Sequence, residues 1–79
     1  MRSSAALKAQ TIAAFRHAPD FSIVDSLNRA TPSEQTSHLR WLDQSGLALY
    51  LLHRLAQHDV AHRLPASFRE SLNQRVLYL

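Results

Sequence analysis

Thr31-Pro32-Ser33-Glu34 constrains this chain more than any other stretch, because it spells a helix start. The Thr31 hydroxyl is placed to accept from the backbone of a first turn, the Pro32 ring presets the φ angle of a first helical residue, and Glu34 reaches back to the cap, completing a capping box. A helix therefore begins at Pro32. Its stop is written at Gln44-Ser45-Gly46, where Gly46 suits the left-handed position that closes a helix. Leu39 and Leu42 fall on one side of this segment, with His38 and Trp41 flanking them.

The remaining segments read the same way. Ser3 or Ser4 caps a first helix running to about Arg16, with Ala5, Ala9, Ile12 and Ala13 on one side, and Pro19 stops it. Asp20 caps a short second helix in which Phe21, Ile23, Val24 and Leu27 recur at helical spacing before Asn28 and Arg29. Leu47 to Gln57 is apolar over a wide face, through Ala48, Leu51, Leu52 and Leu55 with Leu47 and Leu49 beside them, and its polar edge is Tyr50, His53, Arg54 and Gln57. Leu64-Pro65 opens a last helix whose stripe is Phe68, Leu72, Val76 and Leu79. The fold class expected is all-α, a small bundle of four to five short helices in a single domain over 1–79, centred on Leu39, Leu51, Leu52, Leu55, Phe68 and Leu72.

Composition narrows the function classes. A chain of 79 residues sits near the size at which one hydrophobic core holds a fold only marginally, and one Gly with three Pro leaves few tight turns. The net charge of +3 is carried by arginines scattered from Arg2 to Arg75 rather than gathered in a run, which points only weakly to a nucleic acid. With no Cys, disulfides and thiolate–metal sites are excluded, which fits a reducing compartment. The opening "MRSSAALKAQTIAAF" has no continuous apolar run of signal-peptide length, and Leu47 to Leu52 falls far short of the roughly 20 residues of a membrane span. A cytoplasmic protein without membrane contact is expected.

His58-Asp59-Val60-Ala61-His62 stands one letter from the His-Glu-x-x-His signature of zinc proteases. In that signature both histidines lie on one continuous helix and the Glu serves as general base. Here Asp59 is one methylene shorter, and Pro65 follows closely, forcing Leu64 out of the helical region. The segment reads as a connection between helices. If the preceding helix did continue, His53 would point away from both histidines and supply no third ligand. Pro32–Asp43, Gln44-Ser45-Gly46 and Leu47–Gln57 have the lengths of a helix-turn-helix DNA reader. The second of those helices, however, would offer Leu47, Ala48, Leu49 and Tyr50 to the base edges, which is core composition. Trp41, Tyr50 and Tyr78 lie on separate helices without interleaved Arg, unlike a base-stacking platform. No catalytic, cofactor-binding or metal-ligating residue is assigned, so no enzyme and no cofactor is expected.

The chain closes on Val76-Leu77-Tyr78-Leu79, apolar and without a capping residue, and a helix that continues or packs on another surface is the expectation. A protein partner, either the rest of a larger chain or a second copy meeting Val76 and Leu79, follows from it. The stretch from Trp41 onward resembles the amino-terminal helical region of bacterial, mostly uncharacterised nucleotidyltransferase-like proteins. The matching residues are Trp41, Gly46, Leu47, Ala48, Leu51, Arg54, Leu55, Leu64, Pro65 and Leu72, about half the chain being covered. The resemblance implies a non-catalytic accessory bundle leading into a catalytic part with a Gly-Ser turn and an Asp-x-Asp pair that binds metal ions. Neither motif occurs in this chain: Asp20, Asp25, Asp43 and Asp59 never form the pair, and Ser45-Gly46 is the reverse order. A self-contained protein-interaction module and a basic nucleic-acid binder are the alternative readings.

Overall fold

The helix boundaries read from the sequence are made by specific hydrogen bonds. In a computed structural model that describes residues 4–77, the helices are α1 (Ser4–Ala13), α2 (Ser22–Arg29), α3 (Pro32–Ser45), α4 (Ala48–Gln57) and α5 (Ala66–Leu77), with a single 3₁₀ turn at Ala61–Arg63. No strand occurs among the described residues, and the chain is the small all-α bundle its sequence implies.

Both halves of the capping box close at α3: Thr31 Oγ1 accepts from the Glu34 N–H at 3.1 Å, and the Glu34 carboxylate accepts from the Thr31 N–H at 2.9 Å. At the other end Gly46 takes φ 75°, and the N–H groups of Gly46 and Leu47 return to the carbonyls of Asp43 and Leu42 at 3.3 and 3.0 Å. The N-cap of α2 is Phe21 rather than the expected Asp20 and makes no side-chain cap bond; the Asp20 carboxylate, one residue earlier, accepts from the Ser22 N–H at 2.8 Å.

Leu51 and Leu55 place α4 in the middle of the packing, and both are fully buried. Against them lie Leu42 from α3, Phe68 and Leu72 from α5, and Ile23, Val24 and Leu27 from α2, in one continuous apolar cluster. Burial of each such side chain contributes about 1.5–3 kcal/mol. Leu39 and Leu52, expected at the centre, are only partly buried and pack on the edge of the cluster. Their places are taken by Leu42 and by Leu64, which is 4% exposed just before α5. The side chain of Val76, and Leu79 entirely, lie outside the described residues.

The first helix departs from its expected form. It ends at Ala13 rather than Arg16, because Ala14, Phe15 and Arg16 tighten into i→i+3 bonds and the Asp20 N–H takes the Ala13 carbonyl at 3.1 Å. Its buried face is Leu7, Thr11 and Ala14, not Ala5, Ala9 and Ile12, while Ala13 alone of the expected stripe is buried. Ile12 is 55% exposed. Leu7 is the only large apolar side chain that α1 inserts completely, and the helix is oriented by it together with a buried polar residue, Thr11. Substitutions distinguish the two faces: Leu7→Ala should cost about 2–4 kcal/mol in urea unfolding and Ile12→Gln under about 0.5 kcal/mol. The reverse order of costs would restore the Ala5–Ala9–Ile12 face to the core.

Candidate functional site

The residues of His58–His62 are placed first by how α4 ends. Asp59 adopts φ 56°, and the N–H groups of Asp59 and Val60 return to the carbonyls of Ala56 and Leu55 at 3.1 and 3.0 Å. This is the closure seen at Gly46, made here with an aspartate in the left-handed position. The turn separates the two histidines. His58 sets its ring against Phe21, centroids 5.0 Å apart, while His62 rides on the 3₁₀ turn with Nδ1 3.8 Å from the Asp59 carboxylate, both partners largely exposed. No group of three or more His, Cys, Asp or Glu side chains able to hold a metal ion occurs among the described residues. The connection read from the sequence is what forms.

Four of the arginines, Arg54, Arg63, Arg69 and Arg75, serve the fold. Arg54 on α4 donates through Nε to the Ala14 carbonyl at 3.1 Å and through Nη2 to the Arg16 carbonyl at 2.8 Å, closing the end of α1. Arg75 forks onto Asp43, Nε to Oδ1 at 2.9 Å and Nη2 to Oδ2 at 2.7 Å, and holds that carboxyl below the usual carboxylate range. Arg63 pairs with Asp25 at 3.4 Å, and Arg69 donates to the His62 carbonyl at 3.2 Å. Each of these groups is spent on a carbonyl or carboxylate of the chain rather than presented together to a phosphate backbone. The helix-turn-helix reading meets a further obstacle, since Ala48 and Leu51, at the amino-terminal end of α4, are buried.

A buried polar pair, Thr11 and His38, joins α1 to α3 and α5. Thr11 Oγ1 donates to the Leu7 carbonyl at 2.9 Å and lies 2.9 Å from His38 Nε2. The hydroxyl has a single proton, already given to Leu7, so it accepts from His38, which fixes the Nε2–H tautomer of the neutral ring. His38 is 3% exposed, stacked between Trp41 at 5.4 Å and Phe68 at 6.4 Å, with its Nδ1 buried and without a hydrogen-bond partner. Burial first, and the Lys8 cation second, push its pKa down to about 4. Lys8 Nζ itself stands 5.6 Å over the Trp41 ring. The sequence reading placed His38 on the flank of α3. Its spacing of one turn before Leu42 was the available signal for burial, and Thr11, one turn after Leu7, was the matching one.

A cleft of about 210 Å³ opens where the α3–α4 turn meets the end of α5, lined by Leu42, Asp43, Gly46, Ala48, Leu49 and Arg75. Its walls are mostly apolar, with the Asp43–Arg75 pair on the rim. A smaller groove of about 140 Å³ lies between the amino-terminal halves of α3 and α5, with Gln35, Thr36, Ser67 and Ser71 around Leu39 and Phe68. The partner face expected around Val76 and Leu79 lies outside the described residues. No family model, no curated protein and no solved structure matches the chain.

Two substitutions test this local chemistry. Thr11→Val strands the buried His38 N–H and should cost about 1–3 kcal/mol, more than Thr11→Ser, which keeps the hydroxyl. Equal losses in both would mean the hydroxyl has no part in holding His38. Asp59→Gly relieves the left-handed backbone and should raise the urea midpoint, by about 0.5–1 kcal/mol of stability.

Proposed function

We propose that this chain is a non-catalytic helical accessory module that works by packing against a protein partner, in the manner of the amino-terminal helical region of bacterial nucleotidyltransferase-like proteins. The observation that supports it best is the cleft at the α3–α4 turn. Leu49 is the partly exposed apolar side chain on its wall, which the buried Leu42 and Ala48 also line, beside the last turn of α5. A helix or strand laid there would bury that wall and meet the Asp43–Arg75 pair at its border, an apolar centre with a charged rim.

The residues that carry the resemblance have structural work within the bundle. Leu51, Leu55, Leu64 and Leu72 fill the core, Gly46 and Leu47 make the α3–α4 turn, Pro65 precedes α5, and Arg54 closes α1. A scaffold that holds a docking face is consistent with such positions. No residue of the chain provides the metal-binding Asp-x-Asp pair, so chemistry in this reading belongs to the partner. A cytoplasmic setting belongs to the same reading. Among the described residues no helix is long and apolar enough to cross a membrane.

The reading frame that carries this chain, with its immediate neighbours, supplies the test. A Gly-Ser turn followed by an Asp-x-Asp pair, in the same frame or an adjoining one, identifies the partner, and the two parts should co-purify. Leu49→Glu, which sets a charge at the cleft, should then weaken the association at least tenfold, or about 1.4 kcal/mol, with the bundle still cooperative in urea. Without such a catalytic part nearby, the accessory-region reading fails. Sedimentation of the chain alone then decides whether it self-associates as an interaction module, since a monomer at all concentrations would remove that reading too.

A further inference from the structure

Helix α1 is held to the bundle by less apolar surface than its neighbours. Leu7 is its one large fully buried apolar side chain, and Thr11, Ala13 and Ala14 complete the face. By contrast, α2 inserts Ile23, Val24 and Leu27, and α4 and α5 insert Leu51, Leu55, Phe68 and Leu72. The Thr11–His38 hydrogen bond is therefore a large share of what keeps α1 on α3.

We propose that His38 is an acid-sensitive clasp: when its ring takes a second proton, α1 leaves α2 and α3 while the packing of α2 to α5 among themselves persists. The neutral ring carries its proton on Nε2, which donates to Thr11, so a second proton goes to Nδ1. That atom is buried and has no acceptor. The imidazolium would then be an uncompensated charge in an apolar site, with an N–H that donates to nothing.

The groups around it offer no relief. From α1 it meets Thr11, which cannot titrate in this range, and the field of Lys8, a like charge. From α5 it meets Phe68, and from its own helix Trp41. Glu34, one turn earlier on α3, is engaged with Thr31 in the capping box. Departure of α1 removes both the lid of the site and Lys8, which lets water reach the ring. The bonds from Arg54 to the carbonyls of Ala14 and Arg16 lie beyond the last residue of α1 and do not involve His38, so they supply a hinge.

The direction with pH follows from proton counts. A hydrated histidine binds its proton near pH 6.5, whereas His38 in the closed bundle does so only near 4, so the open state holds more protons across that window. Above the window the clasp is fully closed. Each pH unit of acidification inside it shifts the closed-to-open equilibrium tenfold toward open, roughly 300-fold across the whole window. Asp20 and Asp43 both titrate below the ordinary 3.8 and release their contributions only at more acid pH.

Amide hydrogen exchange on the full chain at about pH 7 and about pH 5 reads the opening of each helix separately. After correction for intrinsic exchange rates, the α1 amides should open roughly 20-fold more often at the lower pH, with α4 and α5 unchanged. His38→Phe keeps an aromatic ring without a titrating nitrogen, and it should abolish the pH effect on α1. Lys8→Met removes the repelling charge and should make the acid effect on α1 smaller, a readout that survives if His38→Phe does not fold. The proposal is overturned if α1 stays protected at about pH 5, if all helices open together, if the His38→Phe chain responds like the parent, or if Lys8→Met leaves the response unchanged. None of these outcomes depends on the docking partner.

Discussion

The carbonyls that follow α1, those that end α2 and those in the 3₁₀ turn are closed by side chains from other helices, and the rest of the structure depends on that exchange. Arg54 of α4 takes the carbonyls of Ala14 and Arg16, and Gln35 of α3 takes those of Leu27 and Ala30 at 2.9 and 3.3 Å. Asn28 of α2 reaches the Arg63 carbonyl at 2.8 Å, and Arg69 of α5 the His62 carbonyl. A helix of about ten residues is marginal alone in water, since its last carbonyls and its nucleation cost are not offset. Here the carbonyls after α1 and at the end of α2 take side chains that are present only when the neighbours are in place, whereas α3 and α4 close on their own backbone. Secondary and tertiary structure are therefore formed together, and a chain of this length without disulfides gains cooperativity from polar contacts as well as from its apolar cluster.

This arrangement also explains what could be read in the sequence. Helix α3 was legible from end to end because its signals are local: Thr31, Pro32 and Glu34 start it and Gly46 stops it through bonds within a few residues. The apolar face of α4 was legible because leucines dominate it. The end of α1 was not, because the residue that closes it, Arg54, lies on α4 and carries no local mark. Its face was misread for a related reason. In an alanine-rich helix Ile12 is the strongest apolar letter in its half of the helix, but orientation is decided by where Leu7 finds a pocket and where Thr11 finds His38. Periodicity counts apolar residues and misses a polar one that is buried with a partner.

The candidate motifs separate along the same line. His58 to His62 was rejected as a metal signature from Pro65 and the shorter acid, and the backbone adds a reason the letters concealed: Asp59 turns into the left-handed region and ends the helix between the histidines. Aspartate is among the few residues that accept this conformation at modest cost, so a helix stop was written there without a glycine. The basic composition was less informative than its count implied. Arg54, Arg63, Arg69 and Arg75 hold carbonyls and carboxylates in place, and a surplus of positive charge is what a fold acquires when guanidinium groups do the work of caps.

The distribution of these contacts sets what can move and what must stay. Lys8 over Trp41 and Thr11 on His38 show α1 running antiparallel to α3 along one side of it. Asp43 lies about 140° around the helix from His38, but Leu42, which also lines the cleft with Arg75, lies only about 40° from His38, so the cleft opens beside the α1 side of α3 rather than opposite it. One side of α3 is covered by α1 through Leu7, Ala13, Ala14 and the Thr11–His38 pair, and the adjoining side is bordered by the heavily packed α4 and α5. Opening on the first side leaves the leucines that shape the second in place. A partner bound at the cleft and a proton bound at His38 thus act on adjoining sides of one helix, on which Leu42 of the cleft follows His38 by one turn, and coupling between them would pass through α3 itself.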